Sequence, residues 1–157
     1  MFKLNILVLI IFLSLLSSCS KEPVNKSIIK EKSLELQVQE AYEEAMKAFN
    51  DGDVLYAAKK FNEAEMLFPQ AVSAPQSALM AAYSYYVQDY YGDAIAELSR
   101  FLKVYPTHKD LGYVYYLLAI CYYEQIVDEK KDLQSIVNAK ENFNIILKNY
   151  PDSEYAI

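Results

Sequence analysis

The chain has 157 residues, enough for one ordinary domain, and a net charge of −6 at neutral pH, which disfavours nucleic acid or anionic lipid as the main partner. Only three of its residues are glycine, which argues against a β architecture rich in tight turns. More than half of the residues are hydrophobic, so the chain can form a core, but its 15 tyrosines call for an explanation.

The N-terminus has the pattern of an export signal. Lys3 gives a positive start, and a nearly uninterrupted apolar run of 13 residues follows from Leu4 to Leu16. As a helix this run would span about 20 Å, short of the ~30 Å hydrocarbon core of a membrane. The sequence therefore predicts a signal peptide over residues 1–18 rather than a membrane span.

The signal ends in Leu16-Ser17-Ser18-Cys19, which resembles the lipobox of bacterial lipoproteins. The resemblance implies cleavage before Cys19 and covalent lipid on that residue, which would anchor the chain to a membrane. Ser20, where inner-membrane lipoproteins carry Asp, implies the outer membrane. An ordinary signal peptide with Cys19 near the cut by chance, or an uncleaved anchor, is the alternative.

Residues 19–35 follow as a polar and charged stretch with little apolar periodicity. We predict that they form a lipidated, flexible tether with a reach of roughly 20 Å. Such a tether would let the following domain stand off the membrane without entering it.

One pattern recurs three times after the tether, with offsets of four, three and five residues and an aromatic-Pro ending. Apolar residues at helical spacing before a helix-stopping proline indicate helical hairpins, so the pattern predicts an all-α helical-hairpin solenoid. The three sets are Ala57, Phe61, Ala64, Pro69; Ala94, Leu98, Phe101, Pro106; and Ala139, Phe143, Ile146, Pro151.

The predicted array occupies residues 36–157. Its repeats cover residues 36–69, 75–106 and 111–151, and residues 152–157 have the pattern of a helix N-cap and the start of a fourth repeat. Because no polar capping element follows, we expect either that the chain is part of a longer protein or that a partner covers the last face.

The repeats share one close-packing position and differ by one insertion. Ala45, Ala82 and Ala119 take equivalent small-residue positions in the first helices. The third repeat has eight extra residues, Asp128 to Ser135, which we expect to form a surface loop before a helix that resumes near Val137.

These offsets resemble the tetratricopeptide repeat, a helical hairpin of about 34 residues. Together with the lipobox and the insertion, four segments resemble the BamD family, the lipoprotein subunits of the outer-membrane β-barrel assembly machinery. The segments are Glu43 to Asp53, Tyr91 to Ile95, Tyr113 to Leu117 and Asn149 to Ala156. The family has five repeats, so the chain corresponds to its N-terminal portion.

The resemblance implies a non-enzymatic scaffold that takes part in assembly and insertion of β-barrel proteins into the outer membrane. It implies a lipid-anchored location on the periplasmic face, a BamA-like subunit as partner, and the C-terminal peptides of unfolded outer-membrane proteins as substrates. Apart from the lipid on Cys19 we expect no cofactor, and we expect no nucleic-acid partner.

A stack of hairpins curves, and the first helix of each repeat lines its concave face. Helical spacing from the close-packing alanines selects apolar and aromatic groove positions. They are Tyr42, Met46, Phe49, Leu79, Tyr83, Tyr86, Tyr113, Tyr116, Ile120 and Tyr123. Tyrosine combines apolar area with a hydroxyl and suits a groove for an extended peptide, although core packing is the alternative for each position.

Other chemistry has little support in the sequence. His108 is the only histidine, and Cys121 lies in an apolar run that favours a buried small hydrophobe over a reactive thiol. The acidic residues lack the order of a calcium loop, so we predict no metal site and no catalytic residues. The alternative functions are another repeat scaffold, for pilus assembly or cell-wall coordination, and an accessory domain of a peptidoglycan-linked enzyme.

Overall fold

The computed structural model describes residues 32–128 and 133–156 of the chain. This part contains α1 (Leu34–Asn50), α2 (Val54–Leu67), α3 (Ala74–Tyr86), α4 (Tyr91–Val104), α5 (Leu111–Glu124), α6 (Leu133–Asn149) and a 3₁₀ turn (Glu154–Ala156). Each helix packs against the next, so α1–α2, α3–α4 and α5–α6 form three successive hairpins. The all-α repeat fold predicted from the sequence is confirmed.

Helix α1 begins two residues earlier than the sequence predicted. Ser33 caps it, because its Oγ accepts a hydrogen bond from the backbone N–H of Leu36 at 3.3 Å. The tether prediction is therefore wrong for Leu34 and Glu35, which form the first helical turn. The signal peptide, Cys19 and the tether up to residue 31 lie outside the described residues.

Helix α6 also begins early, at Leu133 rather than near Val137. In its first turns the side-chain amide of Gln134 donates a hydrogen bond to Asn138 Oδ1 at 2.8 Å, a contact between residues four apart that stabilises a helix. The last three residues of the expected surface loop are therefore helical, and residues 129–132 lie outside the described part of the chain.

The first three residues of each recurring set, which we call the ladder, contribute to the interior of the hairpins. Ala45, Ala82 and Ala119 have no exposed surface, and neither have the ladder residues Phe61 and Phe101. Small side chains at the alanine positions let neighbouring helices approach closely, and the aromatic rings fill the remaining space. Among the described helices none is long and apolar enough to cross a membrane.

The turns inside the first two hairpins share one left-handed position. Gly52 has a φ of 84° and Asp89 a φ of 62°, and each lies five residues before the first alanine of its ladder. Glycine adopts this conformation freely, whereas Asp tolerates it through local hydrogen bonds. Asp89 Oδ1 accepts such a bond from the Tyr91 hydroxyl at 2.7 Å.

A buried ion pair joins the second helices of the first two hairpins. Glu65 of α2 is only 4% exposed, and Arg100 of α4 donates to its two carboxylate oxygens at 2.9 and 2.5 Å. The Tyr105 hydroxyl donates to Glu65 Oε1 at 2.7 Å. The hydrogen bond with Glu65 raises the pKa of the Arg100 guanidinium, and burial followed by the same carboxylate raises the pKa of the Tyr105 phenol.

Replacing Gly52 by Ala should lower the free energy of unfolding by about 1 kcal/mol, because an L side chain is strained at a φ of 84° even though the added Cβ meets no atom within 4 Å. Urea denaturation followed by circular dichroism measures the change. Gly92→Ala is the matched control. The Cβ added at this position also has no atom within 4 Å, and Gly92 lies in a helix, where alanine is not strained. Equal losses in the two variants would contradict the prediction.

Replacing Arg100 by Ala should lower the free energy of unfolding by about 2 kcal/mol, because Glu65 would stay buried without its cation while Arg100 itself is partly exposed. The same denaturation experiment measures it. Glu63→Gln, which breaks a more exposed pair with Lys60, should cost less than about 0.5 kcal/mol. An Arg100 variant that is no less stable than this control would show that the pair with Glu65 contributes little to the free energy of unfolding.

Candidate functional site

Six aromatic rings, which we call the aromatic band, form two groups on the first helices of the three hairpins and on the 3₁₀ turn. In α1 and α3 the ring centroids of Phe49 and Tyr83 lie 5.9 Å apart, and those of Tyr83 and Tyr86 6.0 Å apart. In α5 the rings of Tyr113 and Tyr116 lie 5.4 and 5.1 Å from that of Tyr155, which belongs to the 3₁₀ turn. The band is Phe49, Tyr83, Tyr86, Tyr113, Tyr116 and Tyr155.

The two halves of the band pack against one core cluster, which Tyr83, Tyr86 and Tyr113 all contact. Burial, followed by the proximity of Tyr83, raises the pKa of the Tyr113 phenol, and burial also raises the pKa of Tyr86, with a smaller effect of Tyr116. These phenols stay protonated at neutral pH and can donate as well as accept hydrogen bonds. All six rings are half-buried, so the band offers a ligand both apolar area and hydroxyl groups.

The ten groove residues predicted from the sequence do not all belong to the band. Five of them belong to the band, namely Phe49, Tyr83, Tyr86, Tyr113 and Tyr116. Tyr42 and Met46 are half-buried against the alanine-rich interior of the first hairpin, where the Tyr42 ring meets Phe61 edge-on with centroids 5.2 Å apart. Ile120 is half-buried on α5.

Two other predicted groove positions lie outside the band. Leu79 is only 6% exposed and belongs to the core cluster that also holds Leu98 and Val114, because helices α4 and α5 pack around it. Tyr123 is 59% exposed and lines a cavity of about 870 Å³ at the α5–α6 hairpin together with Phe143. Phe143 is half-buried where its ladder counterpart Phe61 is fully buried, because no later helix of the described chain packs over it.

Two further cavities adjoin α3. The first, of about 730 Å³, lies between α1 and the segment after α2, and it is lined by Val38, Tyr42, Phe68 and Val72 among others. The second, of about 360 Å³, lies between α3 and α5 and includes Leu79, Tyr113 and Tyr155. Gln76 lines both, so the two cavities flank the start of α3 and lead toward the band.

Sequence reasoning missed several of these lining residues. Val38 lies one helical turn before Tyr42, so the same helical spacing points to it when extended one turn toward the N-terminus of α1. Phe68 and Val72 lie in a connection without periodicity, and no helical pattern points to them. Tyr155 belongs to the stretch that the sequence predicts as the start of a fourth repeat, and it lies in the 3₁₀ turn.

Side chains with chemical reactivity are few in the described residues. Cys121 is a free, buried thiol whose pKa burial raises to about 12, so it is protonated at neutral pH; the prediction of a buried small hydrophobe is confirmed. His108 packs edge-on against Phe101, and its Nδ1 accepts from the N–H of Asp110 at 3.3 Å. Over residues 32–128 and 133–156, no group of three or more His, Cys, Asp or Glu could hold a metal ion.

Comparison with known proteins identifies the family. The family model described as YfiO, outer membrane lipoprotein, matches residues 34–157, starting at the first residue of α1. Proteins named outer membrane protein assembly factor BamD are also similar to the chain, and three of them illustrate the match. The chain is 36% identical to that of Caulobacter vibrioides over 100 residues, which are 64% of this chain and 33% of the relative.

The other two relatives extend the match. The chain is 32% identical to the Rickettsia prowazekii protein over 116 residues, 69% of this chain and 46% of the relative. It is 27% identical to the Vibrio cholerae protein over 154 residues, 92% of this chain and 61% of the relative. The chain thus spans between a third and three fifths of the length of these relatives, while the family model covers most of the chain. The chain therefore belongs to the YfiO (BamD) family of outer membrane lipoproteins.

Proposed function

We propose that the chain is a non-enzymatic scaffold in the assembly of β-barrel proteins at the outer membrane, and that it binds unfolded substrate along the aromatic band. The observation that carries the proposal is the band itself, a set of half-buried rings contributed by the first helices of all three hairpins and by the 3₁₀ turn. The family supports the assembly role, since the relatives are named outer membrane protein assembly factors.

An extended peptide is the ligand that best suits this surface. Rings with centroids 5 to 6 Å apart can admit a further aromatic side chain at the same spacing, which is the favoured distance for aromatic pairs. The neighbouring hydroxyls can pair with the peptide's backbone N–H and C=O groups, which an unfolded chain exposes. A C-terminal segment of an unfolded outer-membrane protein that ends in an aromatic residue has both features.

The location and partners form part of the same proposal. Lipid on Cys19 would hold the chain at the periplasmic face of the outer membrane, with other subunits of the assembly complex, including a BamA-like barrel subunit, beside it. The helical hairpins would then present the aromatic band to chains that await insertion.

Mass spectrometry of the protein purified from membranes should find a lipid-modified fragment that begins at Cys19. Cys19→Ala should abolish both the modification and the cleavage, because the lipoprotein pathway acts on the cysteine thiol. A membrane-bound chain with an unmodified peptide across Cys19 would contradict the lipid anchor.

Tyr83→Ala and Tyr116→Ala should each weaken the binding of an aromatic-ended, unstructured peptide about fivefold, because each removes a ring contact worth about 1 kcal/mol. Fluorescence anisotropy measures the affinity, and circular dichroism checks that the helix content is unchanged. Tyr90→Ala, which removes an exposed ring at the start of α4 outside the band, is the control and should bind like the parent. Parent-like affinity in both band variants would reject the proposal.

A further inference from the structure

The larger of the two cavities beside α3 is apolar inside. It has a volume of about 730 Å³ and lies between the first half of α1 and the segment that follows α2. Val38 is buried in its wall, and Tyr42 and Phe68 are half-buried there. Val72 also lines it although 99% of this side chain is exposed, so Val72 lies at the opening. An exposed valine at the mouth of an apolar cavity favours an apolar ligand group.

The rim of this cavity is acidic. Glu35, Gln39 and Glu43 follow one another at intervals of four residues, so they share one face of α1, and all three line the cavity. The Gln39 amide donates to Glu43 Oε1 at 2.8 Å. No lysine or arginine of the described chain is among the lining residues.

The rim carboxylates differ from their neighbours in lacking a cation. On the same helix Glu40 pairs with Lys32 at 2.7 Å and Glu44 with Lys60 at 2.9 Å. Within residues 32–128 and 133–156, neither Glu35 nor Glu43 has an ion pair within 4 Å. The two carboxylates at the cavity mouth therefore have no direct ion-pair partner among the described residues, and a ligand with a positive charge would supply one.

We propose that this cavity is a specificity subsite that takes an apolar side chain flanked by lysine or arginine in an unfolded polypeptide. This inference rests on the proposed peptide-binding function and adds a sequence preference to it. The apolar side chain enters between Val38 and Phe68, and the flanking cation meets Glu35 and Glu43. The amide of Gln39 lies between the two carboxylates and can pair with the backbone of the bound chain.

One residue links the subsite to a cavity that contains part of the aromatic band. Gln76 at the start of α3 lines this cavity and also the smaller one, which contains Tyr113 and Tyr155 of the band. Packed helices lie roughly 10 Å apart, and an extended chain advances roughly 3.3 Å per residue. A bound segment would therefore place its basic-apolar pair about three residues from the aromatic side chain that meets the band.

The test uses unstructured peptides of equal length that share a C-terminal aromatic residue and an apolar residue about three positions before it. They differ only in the neighbour of the apolar residue, which is Lys, Gln or Glu. Fluorescence anisotropy at low salt should show about tenfold tighter binding of the Lys peptide than of the Glu peptide, from two exposed charge contacts. The preference should shrink at high salt.

Glu35→Gln combined with Glu43→Gln should reduce this preference to less than about twofold while the Gln peptide binds as before. The matched control is Glu40→Gln combined with Glu44→Gln, which removes the same charge from the same helix but from residues that do not line the cavity. This control should retain most of the preference. Val72→Ser, at a side chain too exposed to matter for folding, should weaken all three peptides about threefold.

The outcomes separate this inference from the function on which it rests. Peptides that bind through Tyr83 and Tyr116 without any charge preference would overturn the subsite and leave the proposed function standing. Equal loss of preference in both double variants would also overturn it, because only the long-range field would then act. Failure of the parent to bind any peptide would overturn both the subsite and the proposed function. A dimer found by sedimentation, if the Glu35→Gln and Glu43→Gln double variant dissociates it, would overturn the subsite and assign the cavity to a second copy of the chain.

Discussion

The close approach of helices at three alanines is the constraint on which the rest of the structure depends. Ala45 and Ala82 are 37 residues apart, as are Ala82 and Ala119, and none of them has any exposed surface. A larger side chain at any of these positions would push neighbouring helices apart. The regular spacing of the first helices, and with it the short distances between rings of the band, follows from these small residues.

Periodicity in the sequence predicted the interior of the hairpins but not the ends of the helices. The ladder from Ala57 to Phe101 is buried where its spacing placed it, because helical geometry alone decides which residues share a face. The helix starts coincide with local side-chain hydrogen bonds, which Ser33 Oγ accepts from Leu36 N–H in α1 and Gln134 donates to Asn138 in α6. Such bonds leave no repeating signal in the sequence.

The candidate site was predictable to the extent that it lies on regular helices. Five rings of the band follow from spacing along the first helices, whereas Tyr155 comes from a turn that periodicity does not describe. The cavity beside α1 needs the connection from Phe68 to Ser73, whose course depends on the packing of two hairpins. Contacts between repeats, such as Glu65 with Arg100 at 35 residues of separation, are equally invisible to a pattern that repeats within each hairpin.

The ion pair of Glu65 and Arg100 makes the interface between the first and second hairpins different from that between the second and third. It is directional and bidentate, so it resists sliding between the first and second hairpins. The second and third hairpins meet through an apolar cluster, and no ion pair links them among the described residues. Apolar contacts tolerate small shear movements, so we expect α5 to shift relative to α3 more readily than α3 shifts relative to α1.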